Sequence, residues 1–160
     1  MILLDTVVLS ELRKAKPNAG VVAFLKTQAS DSTFLSALTI GEIEAGIAKQ
    51  RALETTTSAG FANELAQWLV ATELQFAQNI LPITPQIAKL WGRLCVQTGN
   101  KGIDNLIAAT ALCHNLTMVT RNVKDFELTG VSIVIRLPAL HKCYIFHSTL
   151  GNKYAGYSHF

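Results

Sequence analysis

The chain has 160 residues, 49% of them apolar and 16% charged, with a net charge of +3; this length builds one domain around one core, and the composition excludes a disordered chain. A sequence pI near 8.8 permits a nucleic-acid partner without requiring one. The odd set Cys95, Cys113 and Cys143, widely spaced and without a CxxC pair, excludes a disulfide framework and reads as buried reduced thiols.

The apolar start Met1 to Leu4 is cut off by Asp5 and has no basic segment before it, so neither a secretory signal nor a membrane span is expected, and the protein is read as cytoplasmic. Ile2, Leu3 and Leu4 suit a buried strand that ends at the polar pair Asp5-Thr6. Val8, Leu9 and Leu12 then carry helical spacing up to Lys16-Pro17-Asn18, and Val21, Val22, Phe24 and Leu25 supply a second helical face. Thr33 to Ser36 reads as a strand. Helices are expected over Thr39 to Arg51, on Ile40, Ile43, Ile47 and Ala48, and over Phe61 to Ala77, on Leu65, Trp68, Leu69 and Phe76.

Ile80 to Ile83 is strand-like. A helix after Pro85, carried by Ile87, Leu90, Trp91 and Leu94, stops before the turn formers Thr98-Gly99-Asn100-Lys101-Gly102. Ile103 to His114 is helical, Thr117 to Thr120 a strand, Asn122 to Phe126 a short turn or helix, and Val131 to Ile135 a last strand. Strands separated by helices pair in parallel through right-handed crossovers, which predicts a three-layer α/β/α domain over residues 1–137. Residues 138–160 read as a C-terminal extension. Within it, the alternation of Cys143 to His147 fits an added strand; with His141 nearby a zinc knuckle is conceivable, but it lacks the paired motifs such sites use. Trp68, Phe76 and Trp91, at helical positions, read as core or dimer contacts.

Asp5, Glu42, Asp104 and Asp125 each have a purely structural explanation. Thr39-Ile40-Gly41-Glu42 is a capping-box sequence, Asp104 opens an apolar helix, Asp125 follows Asn122 at capping distance, and Asp5 precedes a helix. Jointly they say more. In a parallel sheet the strand ends share one edge, where ligand sites of open α/β sheets form, and these acids follow or flank strand ends. Several carboxylates gathered there repel one another, so a divalent cation is the natural counter-charge; an all-oxygen donor set points to Mg²⁺, with Mn²⁺ as substitute, rather than zinc.

The segments "MILLDTVVLSEL", "SALTIGEIEAGI", "GIDNLIAATAL" and "LTMVTRNVKDF" resemble, in order and spacing, the four conserved blocks of PIN-domain toxins of the VapC and FitB-like kind. The resemblance implies a PIN-like fold, Mg²⁺-dependent endoribonuclease activity in a type II toxin–antitoxin system, a homodimer, and inhibition by a cognate antitoxin. It implies Asp5, Glu42 and Asp104 as metal ligands, Asp125 or Asn122 as the fourth site position, and Thr6 and Thr120 as residues orienting ligands or the scissile phosphate. Arg121, with Lys124 and Lys101, is placed to meet RNA phosphates. Two positions depart from the pattern: Val7 stands where relatives commonly carry Asn, and neutral Asn122 stands where they often carry Asp. A weakened scaffold that binds antitoxin without turnover is therefore a rival. A second rival, an aspartate-nucleophile phosphatase suggested by "ILLDTVV", needs an acid two residues after Asp5, where Val7 stands.

Overall fold

The computed structural model describes residues 1–135 together with the strands 144–146 and 157–158. Five strands run parallel: β1 (Ile2–Leu4), β2 (Thr33–Ser36), β3 (Ile80–Leu81), β4 (Thr117–Val119) and β5 (Ile133–Ile135), in the order β3-β2-β1-β4-β5. The order reverses between β1 and β4, so the crevice of this sheet opens between their C-terminal ends.

Strand residues alternate between two separate cores. Ile2, Leu4, Val119 and Val134 face a cluster completed by Val8 and Leu9 of α1 (Thr6–Glu11), Val21 and Phe24 of α2 (Ala19–Lys26), Ile43 and Ile47 of α3 (Ala37–Arg51) and Leu69 of α4 (Thr56–Gln75). Leu3, Met118 and Ile133 face the other, with Ile87 and Leu94 of α5 (Pro85–Thr98), Ile107 and Ala108 of α6 (Ile103–Cys113) and Phe126 of α7 (Val123–Phe126). The three layers expected from the sequence are present. Trp68 and Phe76 pack on the first core and Trp91 on the second.

Three expectations need correction. α3 does not begin at Thr39: Ser36, the last residue of β2, caps it by accepting from the amide of Leu38 at 3.2 Å, so the helix starts at Ala37 and no capping box forms at Thr39 and Glu42. Cys95 and Cys113 are free, as expected of thiols, but half-buried rather than buried. α4 also starts earlier than Phe61, because Thr55 and Ser58 form a reciprocal capping box ahead of a first turn too polar to show helical periodicity.

Beyond β5 the sheet ceases to be parallel: β6 (Tyr144–Phe146) pairs antiparallel with β5, and β7 (Tyr157–Ser158) with β6. The added strand expected in Cys143 to His147 is there. The break after Leu137 and the residues His141, Cys143 and His147 lie outside the described residues.

Candidate metal and nucleic-acid site

β1 ends at Asp5, whose backbone amide still donates to the carbonyl of Val119 on β4 at 3.1 Å and so delivers the side chain to the crevice. Although Asp5 stands at the N-cap position of α1, its carboxylate makes no capping bond. It accepts instead from Thr120 Oγ1 at 2.6 Å, directly across the strand-order reversal. Thr120 Oγ1 itself accepts from the amide of Asn122 at 2.9 Å, which leaves the hydroxyl proton only the direction of Asp5. Asp5 is 4% exposed and Thr120 1%, so this hydrogen bond is out of water.

Glu42 projects from the second turn of α3 and accepts from Thr6 Oγ1, the residue after Asp5. Asp104, in the first turn of α6, is half-buried and makes no capping bond; Gly102 holds the N-cap position. Asn122 does not cap α7 either: its side-chain amide donates to Asp125. The structural explanations offered by the sequence for Asp5, Glu42, Asp104 and Asn122 are therefore not the ones the side chains follow.

The carboxylates sense one another. Burial pushes the Asp5 carboxyl above its ordinary pKa, and the charges of Asp104 and Glu42 push it further, against the hydrogen bond from Thr120 and one from the Thr6 backbone. Burial likewise raises Asp104, and Asp125 and Glu42 add to that. Four acids from separate segments thus share one field. As their side chains lie, no three His, Cys, Asp or Glu groups among the described residues close into a ligand shell. Mg²⁺ does not require one, because it keeps several of its own waters and takes one or two carboxylates. An all-oxygen set of mutually destabilised carboxylates, one of them buried, fits such an ion.

Arg121, expected to meet phosphate, donates from Nη1 to Glu11 Oε2 at 3.0 Å. Glu11 is a residue that sequence reasoning missed. It is 4% exposed, takes Lys14 Nζ at 2.7 Å and the amide of Asn18 at 3.0 Å, and is held below the usual carboxylate range, chiefly by the Lys14 hydrogen bond. The signal available was the Glu11 and Lys14 pair at helical spacing. Lys101 and Lys124 are exposed and have no ion-pair partner among the described residues. Val7, beside Asp5, is 47% exposed.

A family model described as the PIN domain matches residues 2–130. Among relatives, the VapC ribonuclease Y4jK of Sinorhizobium fredii is 33% identical over 139 residues, covering 84% of this chain and 96% of that protein. The toxin FitB of Neisseria gonorrhoeae is 34% identical over 139 residues, covering 83% and 96%. The crystal structure of FitAcB from Neisseria gonorrhoeae superposes with a TM-score of 0.70 at 33% identity, over 86% of this chain and 98% of that one. With the family model spanning most of its length and such relatives beside it, the chain belongs to the PIN-domain family, among the VapC and FitB toxins.

Proposed function

We propose that this protein is a Mg²⁺-dependent endoribonuclease toxin, with Mn²⁺ able to substitute, restrained by a cognate antitoxin and acting in the cytoplasm as a homodimer. The observation that carries the reading is the gathering of acids from separate segments at the strand-order reversal: buried Asp5 held by Thr120, Glu42 held by the adjacent Thr6, and Asp104 close enough that its charge raises the Asp5 pKa. The names of the relatives, a VapC ribonuclease and a FitB toxin, support the substrate class and the antitoxin partner. Among the described residues no helix is long and apolar enough to cross a membrane. Exposed Val70 and Leu74, one turn apart on α4, offer apolar surface to a second copy.

Asp5, Glu42 and Asp104 would hold the cation between them, directly or through the waters Mg²⁺ retains, and Asp125 or Asn122 complete the site. The ion, when bound, supplies charge neutralisation at the scissile phosphodiester and lowers the pKa of water for its hydrolysis. The protein's own groups do the positioning. Thr120 fixes the Asp5 carboxylate and Thr6 that of Glu42, both through neutral hydroxyls, so the acids keep their charge for an external cation. Glu11 draws the Arg121 guanidinium to itself, which keeps it from neutralising the acids. Since only one of five guanidinium protons is engaged there, the exposed remainder can meet an RNA phosphate, with Lys101 and Lys124 as further contacts.

The purified chain in Mg²⁺ should cut single-stranded RNA, and Asp5→Asn or Asp104→Asn should abolish cutting while circular dichroism stays unchanged. Unaltered cleavage by either variant refutes the assignment. A chain that cuts no RNA yet binds its antitoxin supports the scaffold reading, for which Val7 and neutral Asn122 speak.

A further inference from the structure

We infer that a cleft along α3, leading away from the acids, binds the nucleotide next to the scissile phosphate of a single-stranded RNA, with Lys49 on that nucleotide's outer phosphate and Ile103 against its base or ribose. The inference rests on the nuclease reading and extends it to substrate positioning.

The cleft has a volume of about 440 Å³ and is lined by Leu38, Gly41, Glu42, Ala45, Lys49 and Ile103. It is of the size that holds small molecules or parts of larger ones. Its α3 residues recur at helical spacing, so they form one continuous face. One member is Glu42, which belongs to the acid cluster; the cleft is thus continuous with the site rather than separate from it. Lys49 stands two turns further on, about 10 Å along the axis. That offset places a cation beyond the acids by a distance an extended nucleotide and a long lysine side chain can span.

The walls suit a base or sugar. Gly41 and Ala45 leave the floor low, and a Cβ at Gly41 would meet nothing within 4 Å, so packing does not call for glycine there. The cleft is open beside Glu42. Ile103 is 46% exposed at the start of α6, one residue before Asp104, and gives the cleft its apolar side. Lys49 is exposed and has no ion-pair partner among the described residues, so its charge is available to a ligand. An apolar wall, a low floor and a cation on the way out from an acidic site match a single strand, whose bases are splayed and whose phosphates recur.

The test measures binding of a fluorescent single-stranded RNA oligonucleotide by anisotropy across a salt series, with Asp104→Asn as the parent so that the probe stays intact. Adding Lys49→Ala should weaken binding about 3- to 10-fold at low salt and reduce the slope of log K against log salt by about 0.7, the loss of one phosphate contact to a single strand. Ile103→Ala should weaken binding without changing the slope, and Gly41→Leu should do so by filling the floor. Lys89→Ala, on α5, serves as the control cation. If Lys49→Ala leaves both affinity and slope at parental values, the subsite is overturned, and the same holds if the cleft variants lose antitoxin affinity but keep RNA affinity. RNA cleavage by the unsubstituted chain, assayed in parallel, reports on the nuclease reading independently of these outcomes.

Discussion

Adding Mg²⁺ should raise the melting temperature of this protein more at about pH 7.5 than at about pH 5. Asp5 and Asp104 have carboxyl pKa values raised on folding. The folded state therefore retains protons that the unfolded chain has already released, and stability falls as pH rises from the ordinary carboxylate value, near 4, through the raised folded values. Above that window both charges are present and the repulsion is complete; a bound cation then offsets it. With the ion at about 100 times its dissociation constant the gain is about 2.7 kcal/mol, or roughly 5–11 °C for a chain of this size. Asp104→Asn removes one of the charges. The partial exposure of Asp104 screens the repulsion from Asp125 and Glu42, leaving roughly 1 kcal/mol. In EDTA at neutral pH the variant should melt about 2–4 °C above the parent, and its response to Mg²⁺ should be largely lost. Differential scanning calorimetry with and without EDTA reads both quantities. A variant that melts lower in EDTA, or that keeps the full Mg²⁺ response, refutes the reasoning.

Thr120→Val removes the donor to the buried Asp5 oxygen and should cost roughly 1–3 kcal/mol by denaturant titration; the acidic limb of the pH–cleavage profile should also move to higher pH, because the bond lost is one that lowers the Asp5 pKa. Glu11→Gln should lower the melting temperature at pH 7. That deficit should shrink as the pH falls through the depressed folded pKa of Glu11, since the ion pairs then disappear from the parent as well. Phe126→Ala, at the fully buried last residue of α7, should cost about 3–5 kcal/mol in urea unfolding. Ser36→Ala should cost about 1 kcal/mol in the same assay and reduce cleavage, because Ser36 sets the start of the helix that carries Glu42.

Most of the layer order was legible because the strands are short runs of Leu, Ile and Val separated by helices with clear apolar faces. The parallel rule brought the strand ends to one edge, but which strands are neighbours was not legible, so the pairing of β1 with β4 and the meeting of Asp5 and Thr120 are seen only in the fold. Helix starts were less legible. Thr39 carries a capping sequence, but Ser36 lies one turn earlier at the end of β2, and a cap positioned by a strand overrides one positioned only by local pattern. The polar turn before Phe61 hid the start of α4 for the opposite reason: its cap is strong and its periodicity weak. The Glu11 and Lys14 pair could be read from spacing, but the link of Glu11 to the site could not, because Arg121 and the Asn18 amide are brought to it only by the fold. The parallel expectation holds for β1 to β5, while the direction of the added strand β6, which pairs antiparallel with β5, was not legible from its alternation alone.

The start of α3 also decides what Glu42 can do. Had Thr39 capped the helix, the glutamate would lie in the first turn with its carboxylate reaching back to the Thr39 amide, and so be spent on the backbone. Because Ser36 begins the helix three residues earlier, the first-turn amides are met elsewhere and Glu42 is released to the Thr6 hydroxyl beside Asp5. The cost falls on Thr39, whose buried Oγ1 finds no hydrogen-bond partner among the described residues. Such an orphan hydroxyl costs roughly 1–3 kcal/mol. Restoring Thr39 as the cap would recover that energy only by pulling Glu42 out of the acid cluster. Thr39→Val, which removes the orphan while preserving shape, should therefore stabilise the fold or leave it unchanged and keep the Mg²⁺ response. A clear loss of stability in that variant would show that the Thr39 hydroxyl is satisfied and that the helix start does not trade against it.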